Sequence, residues 1–324
     1  MKLFKKFRDT VFYKEDSSLE KQLDELKKIR EKLEDKGKID KDIKKLEYGI
    51  AGEKEIAFEL KNANIGMYVL RDVTFEYDGS KAQIDYLILT RGNFYIAECK
   101  NLYGNITVDS EGQFYREYEY DGKIIKEGIY SPYTQAVRQK NIMEKIWDLS
   151  HSTIVSLLHE KIYDKLHNDY LFRPIVVFSN SKCILDIQNA PKKIKDSIVR
   201  ADQLIDYIKK DIDKMDSAEL ASEKTLKRIA ETWLSKSISN DSNIVNKYLI
   251  NDKNEIENKL KTFRNEKANN LNIPINYIFT DEELNKLIKI MPKTIEDIKF
   301  NNILPDIKIK CHGEEIINIL NKFQ

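Results

Sequence analysis

The residues best suited to chemistry in this chain lie in two short segments. Residues 83–85 read Gln-Ile-Asp and residues 98–100 read Glu-Cys-Lys, so two carboxylates and one ammonium group stand close together in the sequence. Carboxylate oxygens are common ligands of Mg²⁺, which takes about six oxygens and usually leaves several places for water and phosphate. Asp85, Glu98 and Lys100 are therefore the groups that a metal-dependent phosphodiesterase requires.

Each of these groups has a defined role in such a reaction. Asp85 and Glu98 would bind the metal, with a main-chain carbonyl near Cys99 as a further oxygen ligand. Lys100 would orient the attacking water or neutralise charge that develops on the phosphorane. The alternative is that Glu98 and Lys100 form a solvated pair on an exposed strand face, which is the usual environment of these residue types.

Both segments are predicted to lie on adjacent strands. Residues 84–89 and 94–100 are rich in β-branched and aromatic side chains, and residues 90–93 (Thr-Arg-Gly-Asn) are typical of a turn, which predicts a β-hairpin. Because side chains alternate along a strand, Glu98 and Lys100 share one face while Cys99 points into apolar packing. Asp85 lies across from Glu98 only if the two strands pair in a favourable register.

Two further motifs flank the predicted hairpin. Upstream, residues 49–53 read Gly-Ile-Ala-Gly-Glu and lead into a segment with apolar residues at helical spacing. Downstream, residues 131–135 read Ser-Pro-Tyr-Thr-Gln. Ser131 is suited to cap a helix and Pro132 to occupy its first position, which puts Gln135 in the first turn. In chain order the motifs are G-x-x-G-E, Q-I-D, E-x-K and S-P-x-x-Q.

With this ordered set of motifs, residues 46–208 resemble the nuclease-related domain (NERD) proteins, a branch of the PD-(D/E)XK nuclease superfamily. The resemblance implies a restriction-endonuclease-like α/β (α+β) core with a mixed sheet, and a dependence on Mg²⁺ or Mn²⁺. It also implies the members of the site: the metal ligands Asp85 and Glu98, the catalytic lysine Lys100, the first-helix acid Glu53, and the polar residues Gln83 and Gln135. The family usually has Asn before the proline of the last motif, where this chain has Ser131.

The rest of this region predicts further strands and helices. Residues 68–77, 106–108, 173–179 and 183–187 are typical of strands, and residues 132–167, 201–211 and 216–236 of helices. Residues 113–129 predict a second hairpin, because Asp121-Gly122 is a strong two-residue turn signal. Its tyrosines, Tyr115, Tyr118 and Tyr120, are suited to stacking on nucleic-acid bases, but cross-strand aromatic packing is the commoner use.

The segment before residue 46 is predicted to be helical. Residues 19–33 and 39–50 carry apolar residues at three- and four-residue spacing, and Gly37 separates the two stretches. A helical hairpin packed on the nuclease-like domain and a short coiled-coil dimer both fit this pattern. Residues 1–12 are basic, with apolar residues at helical spacing. A helix that packs on the protein's own core is the usual structure of such a segment, and contact with an anionic membrane surface is the alternative.

Residues 254–324 carry a second resemblance. Residues 260–264 (Leu-Lys-Thr-Phe-Arg), 273–281 (Ile-Pro-Ile-Asn-Tyr-Ile-Phe-Thr-Asp) and 291–294 (Met-Pro-Lys-Thr) are similar to the HRDC domain, a small helical module of RecQ-type helicases. The resemblance implies an all-α domain that binds DNA weakly, binds a protein or packs on the nuclease core. Members commonly have a glycine-rich hairpin where this chain has residues 301–306 (Asn-Asn-Ile-Leu-Pro-Asp), a difference that argues against phosphate contact through main-chain amides.

Composition narrows the class of protein and its environment. The chain has 324 residues, of which 34% are charged and 41% hydrophobic, and its formal net charge is +1. Because this charge provides no global field for nucleic acid, binding would depend on local patches. Three cysteines without C-x-x-C spacing favour a reducing compartment over a zinc site or a disulfide framework. The sequence has no apolar run of membrane-spanning length and no signal peptide, which predicts a cytoplasmic protein.

We therefore predict four parts: an N-terminal helical segment (1–45), a nuclease-like domain (46–210), a helical connector (211–252) and an HRDC-like domain (253–324). The favoured function is Mg²⁺-dependent hydrolysis of DNA, in DNA processing or in defence against foreign DNA. The alternative is a catalytically inactive scaffold that binds nucleic acid or protein. DNA is the expected partner, RNA is an alternative, and a protein partner would bind the HRDC-like domain or the N-terminal helices. The oligomeric state is left open by the sequence.

Overall fold

The computed structural model describes residues 7–33, 36–149, 172–215, 220–240 and 244–323. The chain divides into two compact units. The first contains residues 1–23 and 41–241, and the second contains residues 24–40 and 242–324. The first unit combines helices with β-sheets, and the second is helical where it is described. The predicted class, an α/β core with a C-terminal all-α domain, is confirmed.

Within the described residues, six strands form the main sheet of the first unit. With all strands numbered in chain order, they are β1 (Thr10–Lys14), β2 (Met67–Tyr77), β3 (Ser80–Thr90), β4 (Phe94–Lys100), β8 (Phe172–Phe178) and β10 (Ile198–Arg200), in the spatial order β1-β2-β3-β4-β8-β10. Strands β2, β3 and β4 pair in antiparallel fashion, while β1, β8 and β10 join in parallel. The sheet is mixed, and the predicted hairpin of the two motif strands is confirmed.

The start of the described chain differs from the prediction. Residues 10–14 form strand β1, which pairs in parallel with β2, and not part of an amphipathic helix. Four of these residues are β-branched or aromatic in succession (Thr-Val-Phe-Tyr), and the edge of the sheet offers main-chain partners that a strand can use. Leu3 and Phe4, which the helical pattern also included, lie outside the described residues.

The described helices before residue 240 are α1 (Ser18–Lys32), α2 (Gly37–Lys61), α3 (Pro132–Leu149), α4 (Lys192–Lys195), α5 (Leu204–Asp213) and α6 (Glu223–Lys236). Four of them, α2, α3, α5 and α6, pack on the two faces of the main sheet. One face of the sheet forms an apolar core with α3 and α6, which includes Phe94, Trp147 and Trp233. The other face forms a core with α2 and α5, which includes Tyr86 and Ile208. Burial on both faces explains why β3 and β4 consist largely of apolar residues.

The bounds of three helices refine the predictions. Helix α2 continues from Gly37 through the G-x-x-G-E motif, so the helix that carries Glu53 also includes residues 39–50. Helix α3 is described as far as residue 149, and the rest of the predicted 132–167 stretch lies outside the described residues. Helix α6 begins at Glu223, later than the predicted start, because Ser222 caps it by accepting a hydrogen bond from the Thr225 N–H.

A second sheet has the strand order β7-β6-β5-β9 in the described part of the first unit. Its strands are β5 (Asn105–Val108), β6 (Phe114–Tyr120), β7 (Lys123–Ile129) and β9 (Leu185–Asp186). The predicted β6–β7 hairpin is confirmed, and its turn residues Asp121 and Gly122 have φ angles of 50° and 69°. Positive φ at both central residues is what a tight two-residue hairpin turn requires.

The second unit contains α7 (Val245–Leu271), α8 (Asp281–Ile290), α9 (Ile295–Phe300) and α10 (Asp306–Leu320), with short 3₁₀ turns at Ile275–Tyr277 and Asn321–Phe323. Thr280 and Thr294 cap α8 and α9 through capping boxes with Glu283 and Asp297. Within residues 301–306, where this chain departs from the glycine-rich hairpin common in the family it resembles, Asn302 adopts a φ of 51°. Asparagine tolerates this left-handed conformation better than most residues.

No helix among the described residues is both long and apolar enough to cross a membrane. The three cysteines are free thiols, and Cys183 is buried, Cys99 partly buried and Cys311 exposed.

Candidate active site

The backbone pairing of β3 and β4 ends where the candidate residues begin. The last pair is Tyr86 with Ala97, and beyond it Asp85 Oδ2 accepts a hydrogen bond from the Cys99 N–H at 2.7 Å. The carboxylate replaces a main-chain acceptor because the strands separate at this point. Asp85 lies one residue beyond Tyr86, and Glu98 lies one residue beyond Ala97. The register is therefore the favourable one that the sequence left open.

Strands β2 and β3 are both distorted at the level of Asp85. They pair on either side, but Asp72 and Asp85, which face each other in the register, are unpaired, and Asp72 has a φ of 49°. Because each strand contains one unpaired residue at this level, the pairing register is the same before and after it. The face to which successive side chains point is shifted by one residue. Leu70 and Val73, three residues apart, consequently contact the same apolar core. The distortion holds Asp85 at the point where β3 and β4 separate.

Glu98 is a buried carboxylate with a partner on each oxygen. Its side chain is 3% exposed, and Oε1 contacts Lys100 Nζ at 2.5 Å. Oε2 accepts a hydrogen bond from Gln139 Nε2 at 2.8 Å, and Lys100 Nζ donates to Gln135 Oε1 at 3.4 Å. The solvated-pair alternative is therefore wrong for Glu98. The Lys100 side chain is 24% exposed, so its ammonium group lies at the boundary between the interior and solvent.

Helix α3 contributes two glutamines from one face. Ser131 caps the helix as predicted, since its Oγ accepts a hydrogen bond from the Thr134 N–H at 3.1 Å. Gln135 and Gln139 are four residues apart and so share a helix face. Gln139 was missed by the sequence prediction, and this spacing from Gln135 is the signal that pointed to it. Gln139 Oε1 is buried and has no hydrogen-bond partner among the described residues.

Gln83 lies beside the site and supports it structurally. Its Nε2 donates to Asp72 Oδ1 at 3.0 Å, and its carbonyl accepts a hydrogen bond from Gln139 Nε2 at 2.7 Å. These two bonds tie the distorted strands to α3. The structure thus connects Gln83 to the predicted site through its main chain, while its side chain holds Asp72.

Glu53 lies on α2 and is held by an arginine that the sequence did not single out. Glu53 Oε2 accepts hydrogen bonds from Arg71 Nε at 3.0 Å and Nη2 at 2.8 Å, and from Ser17 Oγ at 3.3 Å. The side chains of Glu53 and Arg71 are 7% and 5% exposed. Arg71 could not be identified from motif spacing, because its role depends on the contact between β2 and α2.

Gly52 lets α2 approach the ends of the central strands. A Cβ at this residue would lie 2.5 Å from Asn101 Cβ and 2.6 Å from Ser179 Oγ, closer than nonbonded atoms can approach. In the same turn, Tyr86 Oη donates a hydrogen bond to the Glu53 carbonyl at 2.7 Å. The glycine of the G-E motif is therefore required by the packing of α2 against the segments that follow β4 and β8, and the carboxylate of the next residue, Glu53, is paired with Arg71.

Burial and neighbouring charges shift the protonation of the acids. Burial raises the pKa of Asp85 well above its usual range, and the charges of Glu98 and Glu53 raise it further, while the Cys99 amide and Lys100 lower it. Burial also raises the pKa of Glu53, against the opposing effect of Arg71. A bound cation would relieve this repulsion, because an opposite charge favours the ionised carboxylates.

The donor set around Asp85 and Glu98 fits a hard cation that keeps several waters. Asp85 Oδ1 has no hydrogen-bond partner within the described ranges, which leaves one carboxylate oxygen for a ligand. In the same ranges, no three His, Cys, Asp or Glu side chains form a cluster that could hold a metal ion. Mg²⁺ is usually bound by only one or two carboxylates together with water and phosphate oxygens, so the two carboxylates suffice.

Two regions of the chain match known protein families. Residues 48–179 match NERD, the nuclease-related domain, and residues 253–320 match the HRDC domain. No curated protein and no solved structure matches the chain. The first region indicates a nuclease-related function and contains all six predicted site residues, and the second indicates nucleic-acid binding. This chain thus carries a nuclease-related domain followed by an HRDC domain.

Proposed function

We propose that this protein hydrolyses DNA phosphodiester bonds in a reaction of the PD-(D/E)XK type that depends on Mg²⁺ or Mn²⁺. The observation that carries the proposal is the meeting of Asp85, Glu98 and Lys100 where β3 and β4 separate. The match to a nuclease-related domain supports the reaction class. The HRDC domain would assist substrate binding, and the biological role would be DNA processing or defence against foreign DNA.

The proposed mechanism assigns a task to each contact in the site. Asp85 and Glu98 would hold the metal, which when bound would polarise the scissile phosphate and acidify a water ligand. Lys100, held between Glu98 and Gln135, can donate a hydrogen bond to the attacking water or to a phosphate oxygen. Gln139 fixes the Glu98 carboxylate, and its unpartnered Oε1 can accept a hydrogen bond from a water.

Cleavage of DNA by the purified full-length protein tests this proposal. Activity should require Mg²⁺ or Mn²⁺ and stop when a chelator is added. Lys100→Met should lower the cleavage rate by about 10²- to 10³-fold, because it removes a charged donor aimed at the reacting phosphate. Lys140→Met is the matched control, since Lys140 is a partly buried lysine of α3 that pairs with Glu144 at 2.8 Å.

Two outcomes would contradict the proposed function. Cleavage that survives Lys100→Met would place the chemistry elsewhere, and binding without cleavage across several DNA and RNA substrates would favour the inactive scaffold. Lys100→Met also leaves the buried Glu98 carboxylate without its cation, so circular dichroism should establish that the variant is folded. If it is not, Lys100→Arg keeps the ion pair and should still lose most activity, because the guanidinium has a different shape and donor geometry.

Replacing Gln139 should weaken catalysis through Glu98. Gln139→Leu keeps a similar volume but removes the donor to Glu98 Oε2, and we expect a loss of about 10- to 100-fold in cleavage rate, as is typical for groups that orient metal ligands. A higher Mg²⁺ concentration should recover part of this loss. Asn141→Leu, on an exposed position of the same helix, is the control. Full activity of Gln139→Leu at limiting Mg²⁺ would show that Gln139 has no positioning role.

A further inference from the structure

We propose that a surface of the β6–β7 hairpin binds the unpaired bases of a single-stranded nucleic acid. This surface, the tyrosine face, consists of Tyr103 with Arg116, Tyr118 and Tyr120 of β6. This binding would bring substrate to the proposed nuclease. That the bound strand continues into the candidate active site rests on the proposed function. Base binding itself does not depend on cleavage, so the two can be tested separately.

Three of the four residues of the tyrosine face, Tyr103, Arg116 and Tyr118, contact one another. The Arg116 guanidinium lies over the Tyr118 ring, 4.2 Å from its centre, and Arg116 Nε donates a hydrogen bond to the Tyr103 carbonyl at 2.7 Å. The rings of Tyr103 and Tyr118 meet edge to face with centres 6.5 Å apart. An arginine that stacks on aromatic rings is a common element of single-strand binding surfaces, because it contacts both bases and phosphates.

The rings of this face remain available to a ligand. Tyr103 is 60% exposed and Tyr120 is 68% exposed. No aromatic residue of β7 lies opposite the tyrosines of β6: Tyr115 faces Gly128, Tyr118 faces Ile125 and Tyr120 faces Lys123. Cross-strand packing with a β-branched side chain is therefore open to Tyr118 but not to Tyr115 or Tyr120 on this strand pair. The hairpin turn is provided by Asp121 and Gly122, so the exposed rings are not needed to form it.

The two faces of the hairpin differ in charge. Because side chains alternate along β6, Arg116 shares the tyrosine face with Tyr118 and Tyr120. Lys123 of β7 lies opposite Tyr120 in the register and adds a second cation to this face. Its acid, Glu127, lies 3.6 Å from Arg116 and is compensated by it. The opposite face of the hairpin contains Glu117 and Glu119 with one cation, Lys126, which lies opposite Glu117, so this face has a net negative charge that would repel phosphates. Charge and aromatic character therefore favour the same face for a polyanion with exposed bases.

The chain connects this face to the candidate active site at both ends of the hairpin region. Tyr103 follows Lys100 by three residues in the segment that leads from β4 to β5. After β7, Tyr130 precedes Ser131, the residue that caps helix α3. Tyr130 is 59% exposed, and Arg138 lies over its ring at 5.5 Å. A strand whose bases stack on Tyr103 and Tyr130 would therefore contact the chain segments that connect to β4 and α3, the elements that carry Lys100 and Gln135.

Stacking on tyrosine requires bases whose faces are accessible. In a duplex each base is stacked between its neighbours, whereas in a single strand the bases can separate and lie on protein rings. The tyrosine face therefore predicts a preference for single-stranded segments, including unpaired tails, over blunt duplex. The ring contact would not depend on base identity, so little sequence preference is expected.

The experiment is an anisotropy titration of the full-length protein with fluorescently labelled oligonucleotides in chelator, so that no cleavage can occur. The probes are one single-stranded DNA, the RNA of the same sequence and the blunt DNA duplex. We expect Tyr103→Ala and Tyr120→Ala each to weaken single-strand binding by about fivefold or more, while the corresponding Phe variants retain binding. Duplex binding should change little, and loss with both DNA and RNA would identify base stacking as the shared chemistry.

The controls lie on the other face of the same hairpin. Tyr115→Ala removes a tyrosine of β6 from the opposite face, and Ile124→Ala removes a side chain of β7 that is 77% exposed. Both should bind the single strand as the wild type does. Equal losses for Tyr115→Ala and Tyr120→Ala, or full affinity of the Tyr103→Ala/Tyr120→Ala double variant, would overturn the proposal, and a protein ligand would then be the better occupant. Tyrosine-dependent binding without cleavage would contradict only the nuclease function.

Discussion

Asp85→Asn should abolish cleavage and at the same time make the folded protein more stable at neutral pH. Asparagine keeps an oxygen that can accept the Cys99 N–H, so the local structure has no reason to change. It removes the negative charge that would bind the metal, and a loss of several kcal/mol in transition-state stabilisation corresponds to about 10³-fold or more in rate. It also removes a carboxyl group whose ionisation is opposed by burial and by two neighbouring acids.

The stability difference should depend on pH in a defined direction. The pKa of Asp85 is raised in the folded state. The contribution of Asp85 to the stability of the wild type is therefore fully present below the unfolded-state pKa of about 3.9, where the carboxyl is neutral, and is lost as pH rises through the folded-state pKa. Asparagine does not titrate. The variant should therefore gain relative to the wild type as pH increases, reaching about 0.5–2 kcal/mol. Chemical denaturation at several pH values, together with a cleavage assay, measures both effects.

The control for this prediction is another buried carboxylate of the same unit. Asp211 accepts a hydrogen bond from Tyr95 Oη at 3.1 Å and forms an ion pair with Arg173. Asp211→Asn should show the opposite pattern, with lower stability and retained cleavage, because it weakens an ion pair outside the candidate site. If Asp85→Asn destabilises the protein as Asp211→Asn does, Asp85 is a structural acid and the metal-ligand assignment loses its support.

Arg71→Met should be the most destabilising single substitution among the site residues. The side chain of Arg71 is 5% exposed and that of its partner Glu53 is 7% exposed, with 2.8 Å between Nη2 and Oε2. Removing the cation leaves a buried carboxylate without compensation, which costs about 3–5 kcal/mol. Burial already raises the pKa of Glu53, and Arg71 is the main influence that lowers it. Urea denaturation of the full-length protein gives the free energy of unfolding.

A second substitution distinguishes lost charge compensation from lost packing. Glu53→Gln in the Arg71→Met background removes the uncompensated charge and should recover most of the stability, since apolar or neutral groups of similar volume can replace buried ion pairs. The control is Lys227→Met, which breaks an exposed ion pair with Glu231 and should cost at most about 1 kcal/mol. No recovery in the double variant would mean that Arg71 contributes through packing.

The core strands and the site residues on them followed from local pattern. Residues 84–89 and 94–100 contain enough β-branched and aromatic residues to specify two strands, and the four residues between them specify a turn. The Ser131 cap and the Asp121-Gly122 turn were predictable for the same reason. In each case, the energetic preference belongs to a few consecutive residues and needs no distant contact.

The start of the chain shows where local pattern is insufficient. Residues 1–12 carry apolar residues at helical spacing, yet residues 10–14 form strand β1. An isolated segment of this length gains little from helix formation, whereas pairing with β2 supplies main-chain hydrogen bonds. Pairing with the edge of the sheet therefore outweighs the helical pattern of this segment. The residues of the segment do not reveal that β2 lies beside it.

The sequence by itself determined which residue types were present for the proposed chemistry, and it placed Asp85, Glu98 and Lys100 on adjacent strands. Only the tertiary structure decided their environment: Arg71 holding Glu53, Gln139 holding Glu98, and the paired distortion at Asp72 and Asp85. The reason is physical. Strand and turn preferences act over a few residues, whereas burial, ion pairing and the protonation of a carboxylate depend on groups that packing brings together from distant parts of the chain.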